Sequence, residues 1–491
     1  MTSDPRTPVL VGAAVANQRD ENPLVAVEAI ELMARAIESA AADAGAPPLA
    51  SAAEMISVPE GTWSYADPGR LLAERFGAPA RSVVAEVGVL QQDVISDLCV
   101  AIGRGELDVA VVVGGEARYR AVRARAEGVE LRDTIQADGT IPDRRWSTPS
   151  LGIDDLELTR NIVTPAVAYA LIESARGGAI DLAGRHAALG SLYEGFAAVA
   201  ASNPDAWDRH PYRADELVEP SVSNRMIASP YTKLLCSQWN VDQAAALILC
   251  STAAADRFGV AADRRVFPIA AAVSNHAVPV LQRSELGRSP GAELAAQALR
   301  NAVGIGPDDL AHVDLYSCFP AAVETFAEAW GLGRDRDLTV TGGMSLAGGP
   351  LNNYVLQAMV RLVSRLRAEP DSVGLSSSVS GFLTKSGFGL WSATPVAAPF
   401  RQLDVSERAA RAARPREVRA DHVGPATIAA WTVEHAGAEP HRAVVVADTG
   451  PGDNGRTIAS TGDPEVVTSM LEDEWTGRTI DVQADGSFRT G

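Results

Sequence analysis

The sequence is poor in several residue types, and each shortage excludes a class of protein. Only 4 of its 491 residues are cysteine. They form no CxxC pair, which argues against a disulfide framework or a zinc site and favours reduced thiols. No apolar run approaches the roughly 20 residues that a membrane-spanning helix needs. The 43 basic residues are outnumbered by 62 acidic ones, and the net charge of −19 disfavours binding to nucleic acid.

Other expected signals are missing as well. The seven histidines are isolated and lack the spacing of metal ligands, so no metal is predicted. The first residues, MTSDPRTPVLVG, show no basic segment followed by an apolar one, which an exported protein would carry. We therefore expect a cytoplasmic protein.

Lysine is scarce too, because Lys233 and Lys385 are the only lysines and all other basic residues are arginine. Against such a bias, a surviving lysine can mark a position that requires a compact ammonium group, although chance survival is the alternative. Both lysines lie in small polar clusters, SPYTKLL and FLTKSGFG, which favours a functional role.

Short apolar strands alternate with helices through most of the chain. The first half has strands at EMISVPE, RSVVAEVG and DVAVVVGG. The second half repeats this order at HVDLYSCF, LTVTGGMS and DSVGLSSS. The alternation predicts parallel sheets covered by helices on both faces. The long repeat indicates two fused α/β units with a cleft between their strand ends.

Two segments interrupt this pattern. Residues 118–234 are rich in Arg, Asp, Pro and Trp, and they predict a loop domain inserted over the sheet. Residues 401–491 combine a charged linker with short strands separated by turns, which predicts a small β-barrel of OB type. The N-terminal half of the body is then residues 1–117 with 235–262, and the C-terminal half is residues 263–400.

The segment SNRMIASPYTKLLCSQWNVDQAAALILCS leads from the excursion back into the N-terminal half and carries a family resemblance. Together with the duplication and the excursion, it resembles the thiolase superfamily, specifically the thiolase-like proteins near the sterol-carrier-protein thiolases. The resemblance covers roughly residues 7–400. It implies a body of αβαβα layers and binding of coenzyme A thioesters. Active members use two cysteines and an oxyanion hole.

The catalytic positions that this resemblance implies are all altered. The nucleophilic cysteine would fall at about Gly88 and the second cysteine near Val379, in a chain that has no cysteine after Cys318. Gly349 replaces the histidine of the GHP motif, and Tyr316 replaces the Asn or His of the NEAF or HDCF motif. Because nucleophile, base and oxyanion donors act as a unit, we expect neither thiolysis nor Claisen condensation.

Tyr316 leaves an enzymatic alternative open. Thiolase-fold aldol lyases of branched acyl-CoA side chains resemble this arrangement, with tyrosines for the usual histidines and an OB-fold partner. Tyr354 would then be the second tyrosine, although both residues also suit simple packing. Cys318 with His312, and Ser380, are weaker candidates because spacing positions no base and no nucleophile elbow beside them.

Residues expected to bind coenzyme A fall in several segments. The glycines of GGMSLAGGP would let a ligand approach backbone N–H groups at a helix start, unless they only form a tight packing turn. The arginines that open the excursion lie where thiolases receive the nucleotide, although a solvated basic face is the alternative. The ligand candidates are Arg118, Arg120, Ser229, Tyr231, Lys233, Gly348, Gly349 and Lys385.

These observations predict a thiolase-like protein that binds coenzyme A or an acyl-CoA and requires no cofactor. The alternative is an acyltransferase or an aldol lyase that uses tyrosine catalysis. A third option is a structural subunit whose β domain recruits another protein. Thiolase-fold bodies commonly pair across a central strand, so a homodimer or a protein partner is left open.

Overall fold

The computed structural model describes residues 4–177, 181–450 and 454–490. The strands are β1 (Pro8–Gln18), β2 (Met55–Pro59), β3 (Arg81–Ala85), β4 (Val109–Ala117), β5 (Arg144–Trp146), β6 (Met226–Ala228), β7 (Tyr231–Thr232), β8 (Asp242–Ser251), β9 (Phe267–Ser274), β10 (Leu310–Asp314), β11 (Val373–Ser380), β12 (Lys385–Ser392), β13 (Gln402–Asp404), β14 (Glu417–Val418), β15 (Gly424–Ala436), β16 (Glu439–Asp448), β17 (Gly455–Thr461), β18 (Thr479–Val482) and β19 (Phe488–Arg489).

Helices connect most of these strands. They are α1 (Ala29–Asp43), α2 (Pro68–Phe76), α3 (Gln91–Gly103), α4 (Arg118–Glu127), α5 (Asp155–Thr159), α6 (Pro165–Arg176), α7 (Leu182–Ser202), α8 (Ala214–Val218), α9 (Thr252–Arg257), α10 (Pro290–Val303), α11 (Pro320–Trp330), α12 (Gly343–Leu346), α13 (Tyr354–Ala368), α14 (Ser406–Ala412) and α15 (Pro464–Glu472).

The first sheet has the strand order β1–β8–β4–β2–β3–β5. Strands β4, β2, β3 and β5 pair in parallel, whereas β8 runs antiparallel to both of its neighbours. Every residue of β8 is buried, which explains its continuous run of apolar and small residues. The chain therefore returns from the excursion directly into the centre of this sheet.

The second sheet has the order β10–β11–β12–β9–β13. Strand β12 follows β11 after a four-residue turn at 381–384, so the two strands pair antiparallel. The prediction of parallel sheets is therefore wrong for part of each sheet, which is mixed. Strand β13 pairs with β9, so the second sheet continues as far as Asp404.

Helices cover both sheets and separate them. Helices α1 and α2 pack on the outer face of the first sheet, and α10 packs on the outer face of the second, with α11 beside it. Helices α3 and α13 contact strands of both sheets and form the layer between them. This arrangement has the five αβαβα layers that the resemblance implies, with an apolar core on each side of the central helices.

One predicted strand, LTVTGGMS, is wrong. Residues 338–342 form no strand, and the short helix α12 follows them. The backbone N–H groups of Val340 and Thr341 donate to the carboxylate of Asp314, at 3.0 and 3.2 Å, instead of to a neighbouring strand. The buried carboxylate thus accepts the N–H groups that would otherwise pair with a neighbouring strand, and the strand that the apolar pattern favours does not form.

A separate β-rich domain follows the body. Its strands β17, β16, β15, β18 and β19 pair in that order. A parallel bridge between Ser460 and Ser487 brings the end of this path back to β17. Helix α15 lies between β17 and β18 in sequence. On the body side, the β6–β7 hairpin of the excursion adds to β15.

Along the part of the chain that the structure describes, no helix is both long and apolar enough to cross a bilayer.

Candidate functional site

A cleft of about 570 Å³ opens beside the segment that leads from the excursion into β8. Three basic side chains and three aromatic ones line it, namely Arg19, Arg225, Lys233, Trp207, Tyr212 and Trp239. Lys233 and Trp239 are exposed to solvent there. Such a combination of cations and flat apolar surfaces suits a ligand that carries both phosphates and an aromatic base.

The two tryptophans of this cleft are held by arginines. The Arg118 guanidinium carbon lies 3.5 Å from the Trp239 ring centre, and its Nε donates to the Asn240 side chain at 3.0 Å. The Arg19 guanidinium lies 5.1 Å from the Trp207 ring centre and donates to the Trp207 carbonyl at 3.1 Å. Cation–π contacts of this kind keep an aromatic side chain oriented towards a ligand.

Two serines also line the cleft. Ser237 and Ser345 lie there, and the Ser345 hydroxyl is buried without a hydrogen-bond partner among the described residues. Gly348 has a φ of 100°. A Cβ atom on Gly349 would lie 2.2 Å from the Ser237 hydroxyl. A histidine side chain therefore has no room at position 349.

Tyr316 and Tyr354 lie together beside a buried aspartate. Their rings meet edge to face with centres 5.7 Å apart. The Tyr354 hydroxyl donates to Asp314 at 2.9 Å and lies 2.7 Å from the Thr341 hydroxyl. Thr339 also donates to Asp314, at 2.9 Å. Asp314 thus collects donors from two segments of the C-terminal half, residues 339–341 and the start of α13.

Burial dominates the electrostatics of this cluster. It raises the pKa of Asp314 to about 6, even though five hydrogen bonds to the carboxylate act in the opposite direction. Burial, and next the charge of Asp314, hold the pKa of Tyr354 well above its usual range. The Tyr316 hydroxyl makes no hydrogen bond within the described residues, and burial raises its pKa too.

Gly88 lies just before α3 with a φ of 111°. A Cβ atom there would lie 2.5 Å from Thr148 and 2.6 Å from Leu151, so these two side chains occupy the space of a larger residue. The Lys385 ammonium donates to the Gly88 carbonyl at 3.1 Å and to the Thr148 hydroxyl. Lys385 is only 1% exposed, and this burial lowers its pKa.

The remaining predicted ligand residues lie outside the cleft. The Ser229 amide donates to Val433 of the β-rich domain, and the buried Tyr231 donates to Glu173 at 2.8 Å. Arg120 is buried, and its guanidinium contacts Asp133 and the Pro23 carbonyl. Val379 is buried in β11 and pairs with Ser386. Of the residues in the SPYTKLL segment, Lys233 and Leu234 line the cleft.

Cys318 and His312 are not brought together by a shared contact. Burial raises the pKa of the Cys318 thiol to about 12. His312 faces Glu369 at 3.2 Å on the other end of its strand. In the described ranges, no group of three or more His, Cys, Asp or Glu side chains could hold a metal ion.

Comparison with known proteins places this geometry in a family. Residues 406–487 match the model of the "thiolase-like protein type 1 additional C-terminal domain". The whole chain resembles the crystal structure of a monomeric SCP2-thiolase-like protein type 1 from Mycobacterium smegmatis, with 26% identity, a TM-score of 0.83 and 99% of each chain covered. The chain is a thiolase-superfamily protein with an additional C-terminal domain.

More distant structures share the fold of this thiolase-like protein. The dimeric peroxisomal thiolase of Saccharomyces cerevisiae has 14% identity and a TM-score of 0.56, over 80% of this chain and 98% of the other. An Ltp2–ChsH2(DUF35) aldolase has 18% identity and a TM-score of 0.58, over 79% of this chain and 98% of the other. A comparison with curated protein sequences finds no significant match.

The sequence did not single out several residues of the cleft in this thiolase-like protein. Arg225 and Trp239 flank the PYTKLL cluster in the chain, so their residue types close to Lys233 were a usable signal. Arg19 and Trp207 come from distant segments, and only the fold brings them to the same cleft.

Proposed function

We propose that this thiolase-like protein binds coenzyme A or an acyl-CoA in the cleft around Lys233. The observation that carries the proposal is the cleft itself, where Arg19, Arg225 and Lys233 accompany two oriented tryptophans. Phosphate groups bind such cations by charge-assisted hydrogen bonds, and an adenine ring stacks on an exposed aromatic face.

Two serines that line the cleft suit the pantetheine arm of the ligand. A pantetheine arm carries amide groups, and the unpartnered Ser345 hydroxyl with the nearby Ser237 side chain provides hydrogen-bonding groups for them. Arg118 supports the cleft from behind by its contact with Trp239, so its role is to position that ring.

We further propose that the protein does not catalyse thiolysis or Claisen condensation. Gly88, Gly349 and Val379 offer no thiol and no imidazole, and close contacts fill the space that a side chain at Gly88 or Gly349 would need. A nucleophile and a base are both required for acyl transfer through a thioester. Lys385 remains beside Gly88 as a buried amine, and no carboxylate of the described residues forms a hydrogen bond with it.

Calorimetric titration of the full-length protein with coenzyme A and acetyl-CoA tests the binding proposal. Lys233→Ala and Arg225→Ala should each weaken saturable binding about 10-fold or more, because each removes a charged hydrogen-bond donor. Arg213→Ala is the matched control, since Arg213 is exposed and does not line the cleft. Absence of binding to the unaltered protein, or equal affinities in all variants, would contradict the proposal.

The alternative function is an aldol lyase or acyltransferase that acts on acyl-CoA with tyrosine catalysis. The edge contact of Tyr316 with Tyr354, beside Asp314, favours it. The C-terminal domain favours it as well, since the aldol lyases that this chain resembles work with an OB-fold partner. The strand order of this domain, with α15 between β17 and β18, suits an OB-like module. Tyr316→Phe separates the two functions: a lyase would lose turnover of branched acyl-CoA substrates, whereas coenzyme A binding would be unchanged.

The C-terminal domain supplies a third option, in which it recruits another protein to the thiolase-like body. Pull-down of a partner by the full-length chain, lost when surface residues of β18 and β19 are altered, would favour this role over catalysis. The acidic net charge keeps nucleic acid an unsuitable partner.

A further inference from the structure

A second, smaller cavity lies at the N-terminus of α10, between the body and helix α14 of the C-terminal extension. It has a volume of about 40 Å³, and none of its lining residues lines the cleft around Lys233. A volume of this size holds roughly three water-sized spheres, which is about the size of one carboxylate or phosphate group. We call it the α10 cavity.

Two buried polar groups of the α10 cavity lack partners. Arg283 is 7% exposed and Ser274 is 0% exposed. Both line the cavity. Within the described residues, Arg283 Nη1 and Ser274 Oγ have no hydrogen-bond partner. Unpaired buried donors are costly, so a native fold that keeps two of them in one cavity points to an occupant.

Among the described residues, no carboxylate accepts a hydrogen bond from the Arg283 guanidinium. Its Nη2 donates to the Phe382 carbonyl. Glu157 acts on Arg283 through its charge, while its carboxylate accepts the backbone N–H groups of Leu281 and Asp154, at 2.8 and 3.1 Å. Burial lowers the pKa of Arg283 to about 10, which leaves the group cationic at neutral pH. A buried positive charge without a hydrogen-bonded counter-ion favours an anionic ligand.

The helix itself adds to the positive potential. Helix α10 has 14 residues, and its N-terminal turn lines the cavity through Pro290 and Gly291. Ser289 caps the helix by accepting from Ala292, which leaves the Gly291 N–H without an acceptor in the described part of the chain. Gly291 also keeps the turn close to Ser274, since a Cβ there would lie 2.8 Å from its hydroxyl. Free N–H groups and the helix dipole both attract anions.

The rim carries further charges of both signs. Arg288 is paired with Glu285 and Glu293, so these three groups together carry one negative charge, fewer than the two positive charges of Arg283 and Arg414. Arg414 is exposed, comes from the segment that follows α14, and has no ion pair among the described residues. The uncompensated charge of the α10 cavity is therefore positive.

We propose that the α10 cavity binds a small oxyanion, a phosphate or carboxylate group, through Arg283, Ser274 and the Gly291 amide. The Arg283 Nη1 group, the Ser274 hydroxyl and the Gly291 N–H can all donate to one ligand, and an oxyanion matches such a set of donors. The site is separate from the cleft around Lys233, and its ligand ties the body to the segment that leads into the C-terminal domain.

Calorimetric titrations of the full-length protein with sodium phosphate and with sodium acetate, at constant ionic strength in chloride, test this proposal. Ser274→Ala should weaken binding about 10-fold, because it removes one hydrogen bond to a charged ligand. Ser378→Ala is the matched control, since Ser378 is also fully buried with an unpartnered hydroxyl but does not line the cavity. Arg283→Gln should abolish binding.

The outcomes are distinct. Binding that Ser274→Ala weakens and Ser378→Ala does not supports the site. Phosphate alone or acetate alone then assigns its ligand class, and both together indicate a general oxyanion site. Failure of the unaltered protein to bind either anion overturns the proposal, as does equal binding in Ser274→Ala and Ser378→Ala. If Arg283→Gln does not fold, the serine pair still decides. Lys233→Ala should leave phosphate binding unchanged, because loss there would place the anion in the other cleft.

Discussion

At the scale of single residues, Asp314 organises the C-terminal half. It accepts hydrogen bonds from Tyr354, from Thr339 and Thr341, and from the backbone around Val340, so one carboxylate joins β10, the 338–342 segment and α13. Because all these donors are buried, losing one leaves an unpaired group inside the protein, and the cost falls on stability as well as on the candidate site.

Tyr354→Phe should lower the free energy of unfolding by about 1–3 kcal/mol, because it removes the hydroxyl that joins Asp314 to Thr341. Tyr316→Phe is the matched control, with an expected change below about 0.5 kcal/mol, since the Tyr316 hydroxyl makes no hydrogen bond in the described ranges. Urea unfolding followed by circular dichroism measures both. Equal losses in the two variants would show that the hydroxyl network contributes nothing specific.

Asp93 offers a pH-dependent test at the same scale. It lies in the first turn of α3 and accepts from the side chains of Asn275 and Gln402, and burial raises its pKa to about 6. The folded state then holds the proton more tightly than the unfolded state, whose carboxyl titrates near pH 4. The contribution of Asp93 to stability is therefore greatest below about pH 4 and is lost as the pH rises through 6.

Asp93→Asn removes this titration, so the variant should gain about 1–1.5 kcal/mol in stability relative to the unaltered protein between pH 5 and pH 8. Urea midpoints measured at both pH values report the difference. Asp97→Asn on the same helix is the control, because Asp97 is exposed and paired with Arg144, and it should show no such gain. Parallel pH profiles for Asp93→Asn and the unaltered protein would contradict the assignment.

At the scale of elements, the short strand β5 forms the edge of the first sheet and covers β3. Its residues Arg144–Trp146 pair with Val83–Ala85 of β3, so β3 is not an edge strand. An uncovered strand offers unpaired N–H and C=O groups to another chain. The excursion, and not the C-terminal domain, thus covers the strand at which a second copy could pair.

Replacing Arg144–Trp146 by three glycines should uncover β3 and promote self-association. We expect the unaltered protein to sediment as a monomer and the variant to show a dimer whose fraction rises with concentration. Sedimentation velocity over a range of concentrations measures this. A variant that stays monomeric, or an unaltered protein that is already dimeric through this edge, would show that β5 does not control association.

At the scale of the whole molecule, the C-terminal domain shares a core with the body. Along β16, Val444 and Val446 pack into the large body core, whereas the alternate residues Ala443 and Val445 pack inside the domain. The Trp431 amide donates to Ser174 of α6 at 3.1 Å. Because both faces of β16 are buried, the body and the domain should unfold as one unit.

Val446→Asp should separate these two parts. A charge buried between the domain and the body lowers stability by about 3 kcal/mol or more, and it should split one calorimetric transition into two. Val446→Ala, which keeps the interface apolar, should lower the midpoint of a single transition. One unsplit transition in Val446→Asp would indicate that the interface does not couple the two parts.

Periodicity in the sequence is sufficient for much of this fold. Alternating apolar strands and helices predict the duplicated body, and the short strands after residue 420 predict a small β domain, because both patterns reflect which face is buried. The LTVTGGMS segment shows the limit. The pattern of this segment favours a strand. Its N–H groups nevertheless donate to Asp314, which lies 24 or more residues earlier in the chain, and a rule based on neighbouring residues cannot predict that contact.

For the candidate site, too, the sequence determines some features and the tertiary structure determines others. The sequence by itself determined that no cysteine or histidine stands at Gly88, Gly349 or Val379, because residue identity at a position is the same in any fold. Only the tertiary structure decided which side chains share a cleft, since Arg19, Trp207 and Lys233 are far apart in the chain. It also decided that Lys385 is buried beside Gly88 and that Arg283 Nη1 has no hydrogen-bond partner among the described residues. Burial and pairing depend on packing between distant segments, and a linear pattern does not contain them.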